Sequence, residues 1–506
     1  MNNKRFVLKF FIAILYSESR VLFLMTTGIP PQSKIVLTVP VWIATICIAS
    51  LSFLKAATPL DPQDSFSEPA SAPVPVQYAR SYNFNDVSLA ISGNPGTENF
   101  KMGNGFLQGV TGPSKDTGIS YGGIWLSDYN ILMSGGAQPG SSSWNSLLIA
   151  SVMIDAEKLM GWQGADFGAQ FLQFNGQNTD GQAGSVQGYN GLPGLPPLDR
   201  SELYQAWYRQ KLFDNRLIIR IGRTVPTYDF NNVCRPVTTS EADLQIPSLS
   251  GLLYTPIFIN PTMLGALPGY YNSADGVTVT IAPTKNSYIN YGFYNGNLAN
   301  GVQTGLVAPQ FNKYCFNILE TGMSWILAEK YPGQFGIGAW YQTGLLSGPG
   351  TITQNGTDGI YFFGGQRIWG RSSKPETVPL LNGDGKSKVV LPALSKTQDA
   401  SVSMFYQYGV NNSETLPINK YFGAGFTGFG LIPNRPADSI GFGTAWSWLN
   451  PNIFNRSSEL MFQTYYQAHL YGGAFLQPTI SYIPTPGDSA SLPAAWAFTL
   501  RFTLLF

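Results

Sequence analysis

Charged and aromatic side chains recur in this chain where a strand would turn them to one face. In segments that alternate apolar residues with small or polar ones, the second face carries five residues able to contact a solute: Arg220, Glu320, Trp340, Glu459 and Arg501. A guanidinium offers several fixed donors to neighbouring hydroxyl groups, and an aromatic ring offers a flat apolar surface. These residue types could therefore contact a polar solute on that face. The alternative is that each Arg forms an ion pair that only stiffens a wall.

Other motifs that could carry chemistry lack their required context. Gly423–Gly428 matches GxGxxG, but no helical pattern follows it, as a dinucleotide site requires. Residues 385–387 read Gly-Lys-Ser without the first glycine of a phosphate-binding loop. His469 is the only histidine, so a histidine-containing metal cluster or a Ser/His/Asp triad would depend on it alone. No pair of carboxylates stands out for glycoside hydrolysis. The sequence therefore predicts no catalytic residue, no metal site and no cofactor.

The element that best explains these positions is the C-terminal segment. It places apolar side chains at every even position, which are Trp496, Phe498, Leu500, Phe502, Leu504 and Phe506. The odd positions up to Thr503 are small or polar, so a strand here has one apolar and one polar face. A tilted strand of about 9–11 residues crosses a bilayer in outer-membrane barrels. The pattern predicts the closing strand of a transmembrane β-barrel.

Composition extends this prediction to most of the chain. Only 12% of the 506 residues are charged, whereas Gly (55) and aromatic residues (14%) are abundant. A soluble domain has about 25% charged residues. We predict an all-β fold in which residues 81–506 form one antiparallel transmembrane barrel. Sixteen strands fit the length best, and fourteen or eighteen stay open. A net charge of +1 indicates no nucleic-acid partner. Aromatic residues at strand ends are expected to form interfacial girdles, with Trp446, Trp448, Tyr465 and Tyr466 among them.

Three stretches rich in Gly and Pro are predicted to be long external loops without strands: 177–200, 231–272 and 370–397. The second contains apolar residues that need a packing partner, so it either folds inward to narrow the pore or lies at the surface on its own side chains. Both interpretations stay open. Cys234, in this stretch, and Cys315 could pair in an oxidising compartment.

The N-terminus is predicted to be a leader, residues 1–57, that contains an uncharged apolar segment. We interpret it as a signal peptide, with an uncleaved anchor helix as the alternative. Met25 would be a better start than Met1. Residues 58–80 are rich in Pro, Ser and Ala and are predicted to be a linker.

Beyond these patterns, roughly residues 100–506 resemble the carbohydrate-selective outer-membrane porins of the OprB family. Short segments in matching order carry the resemblance: Gly118–Trp125, Asp155–Trp162, Leu203–Gln210, Arg220–Arg223, Gly430–Asp438, Tyr465–Ala468 and Leu476–Pro478. The resemblance implies a sixteen-stranded barrel for passive, selective diffusion of glucose-like sugars across the bacterial outer membrane into the periplasm. It implies a constriction with Arg, acidic and aromatic side chains, and adds four candidate pathway residues: Trp207, Arg209, Arg223 and Asp229.

The resemblance also implies partners. They are sugars as permeating solutes, outer-membrane lipid, and the barrel-assembly machinery, which would bind the C-terminal strand that ends at Phe506. It implies a channel and not an enzyme. The alternatives from the sequence are a non-selective general porin, a secreted all-β enzyme acting on polysaccharides, and a surface adhesin.

Overall fold

A closed sheet of sixteen antiparallel strands is the main feature of the computed structural model. The structure describes residues 14–17, 20–24, 36–40, 117–194, 199–213, 216–231, 251–268, 273–284, 287–296, 314–327, 331–370, 377–381, 388–392, 400–435, 438–471 and 473–506. The first eight barrel strands are β1 (Ile119–Ser134), β2 (Ser142–Asp155), β3 (Ala165–Asn175), β4 (Arg200–Leu212), β5 (Leu217–Thr224), β6 (Ala274–Thr284), β7 (Ser287–Asn295) and β8 (Cys315–Leu327). The other eight are β9 (Tyr331–Ser347), β10 (Thr353–Gly370), β11 (Ser401–Asn411), β12 (Ile418–Phe429), β13 (Ser439–Leu449), β14 (Ser458–Tyr471), β15 (Ala474–Ile483) and β16 (Ala495–Leu505).

Each barrel strand pairs with its neighbours in the chain, and β16 pairs with β1 to close the ring. In this closing seam Arg501 lies opposite Asp128. Beyond it, the backbone N–H of Gly123 donates to the carbonyl of Phe506 (3.0 Å), and Phe506 donates back (3.1 Å). The prediction of an all-β barrel with sixteen strands is confirmed.

The two faces of the strands differ as the alternation predicts. In β16 the odd positions are buried and the even ones are half-buried or exposed. Trp496 is 43% exposed, whereas Arg501 is 1% exposed. Large apolar side chains are exposed on the same outer face of other strands, for example Phe426 (48%) and Phe442 (46%). This apolar outer band is the lipid-facing surface of an outer-membrane barrel.

Of the four residues predicted for an aromatic girdle, Trp446, Trp448 and Tyr466 lie on the outer face of their strands, and Tyr465 does not. Trp446 and Trp448 stack with ring centroids 4.3 Å apart, and Trp446 is exposed. Tyr466 is half-buried and donates to Asp438. Tyr465 is 2% exposed and inward-facing, so its placement in a girdle was wrong. Adjacent residues of one strand face opposite sides, so Tyr465 and Tyr466 could not both face lipid.

The two ends of the barrel carry different connections. The end that holds the start of β1 and the end of β16, the turn end, has short connections such as 213–216, 285–286 and 472–473. The opposite loop end carries the long connections 176–199 and 225–273. Short turns lie on the periplasmic side and long loops outside in such barrels.

The stretch 370–397 differs from the prediction of an external loop without strands. It joins β10 to β11 at the turn end, and Thr377–Leu381 pairs antiparallel with Lys388–Pro392. These runs contain Val and Leu and flank an Asn-Gly pair, which is a hairpin signal that outweighs the Gly and Pro content.

The unit Met1–Val74 contains three short antiparallel strands, Ile14–Ser17, Arg20–Leu24 and Val36–Pro40. None of the helices among the residues that the structure describes is long and apolar enough to cross a membrane. The leader boundary at residue 57 stays a prediction, and the linker 58–80 lies outside the described residues. Cys315 is a free thiol, and Cys234 lies outside the described residues.

Candidate functional site

Two long connections from the loop end fold back against the inner wall. The first inward loop, residues 176–194, contains the short helix α1 (Thr179–Ala183), and the second inward loop, residues 251–268, contains two short 3-10 turns. Their larger side chains are buried, as for Tyr189 (2% exposed), Tyr254 (0%) and Met263 (0%). Of the two interpretations of 231–272, the described part, 251–268, supports the inward one.

Amide side chains of the wall hold the second inward loop by its backbone. Gln477 Nε2 donates to the carbonyl of Gly251 (2.7 Å), and Gln407 Nε2 donates to that of Pro256 (2.6 Å). Asn411 Nδ2 donates to the carbonyl of Thr262 (2.6 Å). Because amides bind carbonyl groups without a charge, the loop is held by neutral hydrogen bonds spread over β11 and β15.

Glu459 holds the first inward loop. Its Oε1 accepts from Ser185 Oγ (2.5 Å), and its Oε2 accepts from the backbone N–H groups of Val186 (2.7 Å) and Gly487 (2.9 Å). Glu459 is 0% exposed. The structure thus places this candidate at an anchor of the loop, where three protein donors occupy the carboxylate.

The two loops also bind each other. The N–H of Thr255 donates to the carbonyl of Gly188 (3.0 Å), and the N–H of Gly191 donates to that of Leu253 (2.6 Å). Gln463 of β14 joins them to the wall: its Oε1 accepts from Leu253 N–H, and its Nε2 donates to the carbonyl of Tyr189 (3.0 Å). The loops therefore form one hydrogen-bonded unit inside the barrel.

Three candidates come together on β4 and β5. Arg209 and Arg220 lie directly opposite each other in the pairing of these strands. Their Cζ atoms lie 5.5 Å and 5.8 Å from the ring centroid of Trp207, within the range of cation–π attraction. Gly168 makes room for this ring, because a Cβ there would lie 2.2 Å from Trp207 Cζ2. We call Trp207, Arg209 and Arg220 the arginine–tryptophan cluster.

Both arginines of the cluster form ion pairs with carboxylates. Arg209 Nε donates to Asp166 Oδ2 (2.9 Å), and Arg220 Nη2 donates to Asp229 Oδ2. Thr278 Oγ1 also donates to Asp229 (3.2 Å). Arg220 Nε is buried and has no hydrogen-bond partner among the described residues. This donor of Arg220 is therefore not used by the described residues.

Arg223 is buried as well, although it lies three residues after Arg220. The pairing of β5 with β4 and with β6 runs through Gly222 without a register shift, so strand alternation places Arg223 on the face opposite to that of Arg220. Arg223 Nε donates to Asp275 Oδ1 (3.2 Å), which lies opposite it in β6. The structure brings Arg223 into a cross-strand ion pair and not into the arginine–tryptophan cluster.

Glu320 and Trp340 lie on another part of the inner wall. Glu320 Oε2 accepts from Tyr361 Oη (2.7 Å) and from the N–H of Asn231 (2.6 Å), and Tyr288 donates to Oε1. Trp340 is 0% exposed and stacks on Phe316 with ring centroids 5.8 Å apart. Both residues face inward as predicted, and neither touches the arginine–tryptophan cluster in a described contact.

The last candidate, Arg501, forms a two-pronged ion pair across the closing seam. Its Nε and Nη2 donate to Asp128 Oδ1 and Oδ2, both at 2.7 Å. Sequence reasoning missed the acidic partners of the arginines, which are Asp128, Asp166 and Asp275. Asp128 has the parity opposite to that of Tyr121 and Trp125, so its inward direction was readable, but the strand register that pairs it with Arg501 was not.

Docking of the first inward loop is expected to depend on pH through Asp180, which lies in α1, outside the strands. Burial raises the pKa of its carboxyl from 3.8 to about 7, the N–H of Asn190 opposes this, and the charge of Glu459 adds to it. When the loop leaves the wall, the pKa of Asp180 returns to its ordinary value of 3.8. Between pH 3.8 and about 7 the docked loop therefore binds a proton that the undocked loop does not, and docking becomes weaker as the pH rises towards 7. We expect a larger channel conductance at about pH 8 than at about pH 5. Asp180→Asn should reduce this difference, and an unchanged pH profile in that variant would contradict the assignment.

Comparison with known proteins agrees with this architecture. A family model described as "Carbohydrate-selective porin, OprB family" matches residues 148–506. Porin B of Pseudomonas aeruginosa is 23% identical over 395 residues, which cover 70% of this chain and 80% of that protein. A solved structure of Pseudomonas putida OprB at high pH superposes with a TM-score of 0.64 and 17% identity, covering 81% of this chain and 99% of that one. At this identity the superposition shows the fold alone.

Proposed function

Because the chain belongs to the OprB family of carbohydrate-selective porins, and is thus a carbohydrate channel of the bacterial outer membrane, we propose that it passes glucose-like monosaccharides by passive diffusion into the periplasm. The observation that carries the choice of sugar class is the arginine–tryptophan cluster. It combines an aromatic ring, two guanidinium groups and a buried donor without a partner among the described residues. A monosaccharide has apolar ring faces and a belt of hydroxyl groups that match these surfaces.

In the proposed mechanism the sugar moves past the inward loops and exchanges water for protein groups one at a time. Arg220 donates to hydroxyl oxygens, and the ring of Trp207 packs against an apolar face of the sugar. The carboxylates of Asp166 and Asp229 keep both guanidinium groups oriented between permeation events. Binding has to stay weak, because conduction requires that the solute leave as readily as it enters.

Planar-bilayer recordings test the proposal. Ion current through the channel should fall as glucose is added, because bound sugar displaces water and ions from the constriction. An uncharged control of similar size without a sugar ring should block far less. Equal block by both solutes would favour a general porin, and the absence of any channel would contradict the proposed function.

Arg220→Ala should weaken glucose block by about tenfold, since it removes a charged donor to a hydroxyl group. Arg435→Ala is the matched control, because Arg435 pairs with Asp438 at the turn end and its side chain is 41% exposed. The measurement is the glucose concentration that halves the current. If Arg220→Ala and Arg435→Ala both match the wild type, Arg220 does not contact the sugar.

We also propose that the barrel-assembly machinery binds β16 during insertion. The support is the apolar outer face of β16 and the aromatic end at Phe506, whose ring lies over Gly123 of β1. Deletion of Phe506 should slow assembly in vivo and spare the conductance of the channels that form, and an unchanged assembly rate would contradict this role.

A further inference from the structure

Asn190, at the inner end of the first inward loop, is 0% exposed and uses its whole amide. Its Nδ2 donates to Asp128 Oδ2 (2.9 Å) and Asn130 Oδ1 (2.7 Å), while its Oδ1 accepts from the N–H of Leu192 (2.9 Å). Its backbone N–H donates to Asp180 Oδ1 (3.1 Å). One side chain therefore ties the loop to the barrel wall and shapes the loop itself.

The acceptors for Asn190 are built by both strands of the closing seam. Arg501 of β16 fixes the Asp128 carboxylate with two hydrogen bonds of 2.7 Å. Thr499 of β16 donates to Asn130 Oδ1 (2.7 Å), which also accepts from Asn190. Because β1 supplies the acceptors that Asn190 binds and β16 holds them in place, this binding site for Asn190 exists only where the barrel has closed.

The residues beside Asn190 hold the second inward loop. The carbonyl of Gly188 accepts from Thr255 N–H (3.0 Å), and Gly191 N–H donates to the carbonyl of Leu253 (2.6 Å). A shift of Asn190 away from the seam would therefore move the backbone that positions Leu253 and Thr255. The hydrogen bonds of the Asn190 side chain therefore determine the position of both inward loops.

We infer that Asn190 is a positioning residue for solute selectivity: it seats both inward loops on the closing seam and so sets the aperture through which the solute passes. This inference rests on the proposed function. It differs from a contact role, since Asn190 acts through the loops and not on the sugar. Because Asn190 binds to the seam between β1 and β16, the constriction forms only after the barrel has closed.

Asn190→Asp tests the inference, because it would set a second carboxylate against Asp128 and remove both donated hydrogen bonds. We expect single-channel conductance to rise and glucose block to weaken by about tenfold. Asn190→Ala should change both quantities in the same direction but less. Asn455→Ala is the matched control, since Asn455 lies outside both inward loops and its Oδ1 accepts from Ala490 N–H (2.9 Å) in an exposed contact. This control should match the wild type.

Combining Asp128→Asn with Asn190→Asp provides a rescue that a merely structural role would not show. It restores one carboxylate facing one amide, so block should recover towards the wild-type value. Only folded, inserted barrels conduct, so each recording reports on assembled channels. Wild-type channels that glucose does not block would overturn the proposed function. Wild-type block that persists unchanged in Asn190→Asp and Asn190→Ala would overturn the positioning role alone.

Discussion

Arg501→Ala is expected to lower the free energy of unfolding of the barrel by about 3–5 kcal/mol, because it leaves the Asp128 carboxylate buried without its cation. The side chains of this pair are 1% and 0% exposed, so water cannot replace the lost partner. The pair also bridges the seam, where loss of register would open the ring. The measurement is the denaturant midpoint of the protein refolded into lipid vesicles.

Lys158→Ala is the control for this prediction. Lys158 Nζ lies 3.7 Å from Asp155 Oδ2 in an exposed pair with 55% and 31% of the side chains accessible. Such pairs contribute about 0–1 kcal/mol. Combining Arg501→Met with Asp128→Leu should recover much of the stability, since no lone charge remains buried. If Arg501→Ala unfolds at the same midpoint as Lys158→Ala, the seam pair does not stabilise the barrel.

Phe442→Arg should be the most damaging change on the outer face, at about 2–4 kcal/mol of folding free energy if it lies near the bilayer midplane. Phe442 is 46% exposed, lies near the middle of β13 and stacks on Phe462 with ring centroids 6.2 Å apart. A guanidinium at this position would be placed in hydrocarbon, where no protein or water group solvates it. The measurement is reversible unfolding in vesicles.

Phe442→Leu is the matched variant, because it keeps an apolar side chain at the same place. It should lose far less stability than Phe442→Arg. Equal stability of the two variants would mean that this face is not in contact with lipid.

The barrel could be predicted from the sequence because the alternation of apolar and polar residues that indicates it lies within single strands. The alternation within each strand decided which side chains face inward, and Arg501, Glu459, Glu320 and Trp340 all follow the alternation of their own strands. Arg223 was named by the resemblance and not by the pattern, and the register of β5 places it on the face opposite to that of Arg220.

The partners of these residues were not predictable from sequence, because long-range register decides them. Asp128 and Arg501 are 373 positions apart in the chain and meet only when the ring closes. Asn190 and Gln463 carried no signal either, since a polar residue in a Gly-rich loop or on a lumen face is common in such barrels. Whether 231–272 folds inward depended on acceptors and donors supplied by strands far along the chain.

Swelling of liposomes that contain the purified protein tests the central claim, selective passage of monosaccharides, most directly. We expect faster swelling in isotonic glucose than in isotonic sucrose, and also faster than in an isotonic amino acid smaller than glucose. Rates that simply follow solute size, with the smaller amino acid ahead of glucose, would contradict selectivity, and liposomes that do not swell at all would contradict the channel.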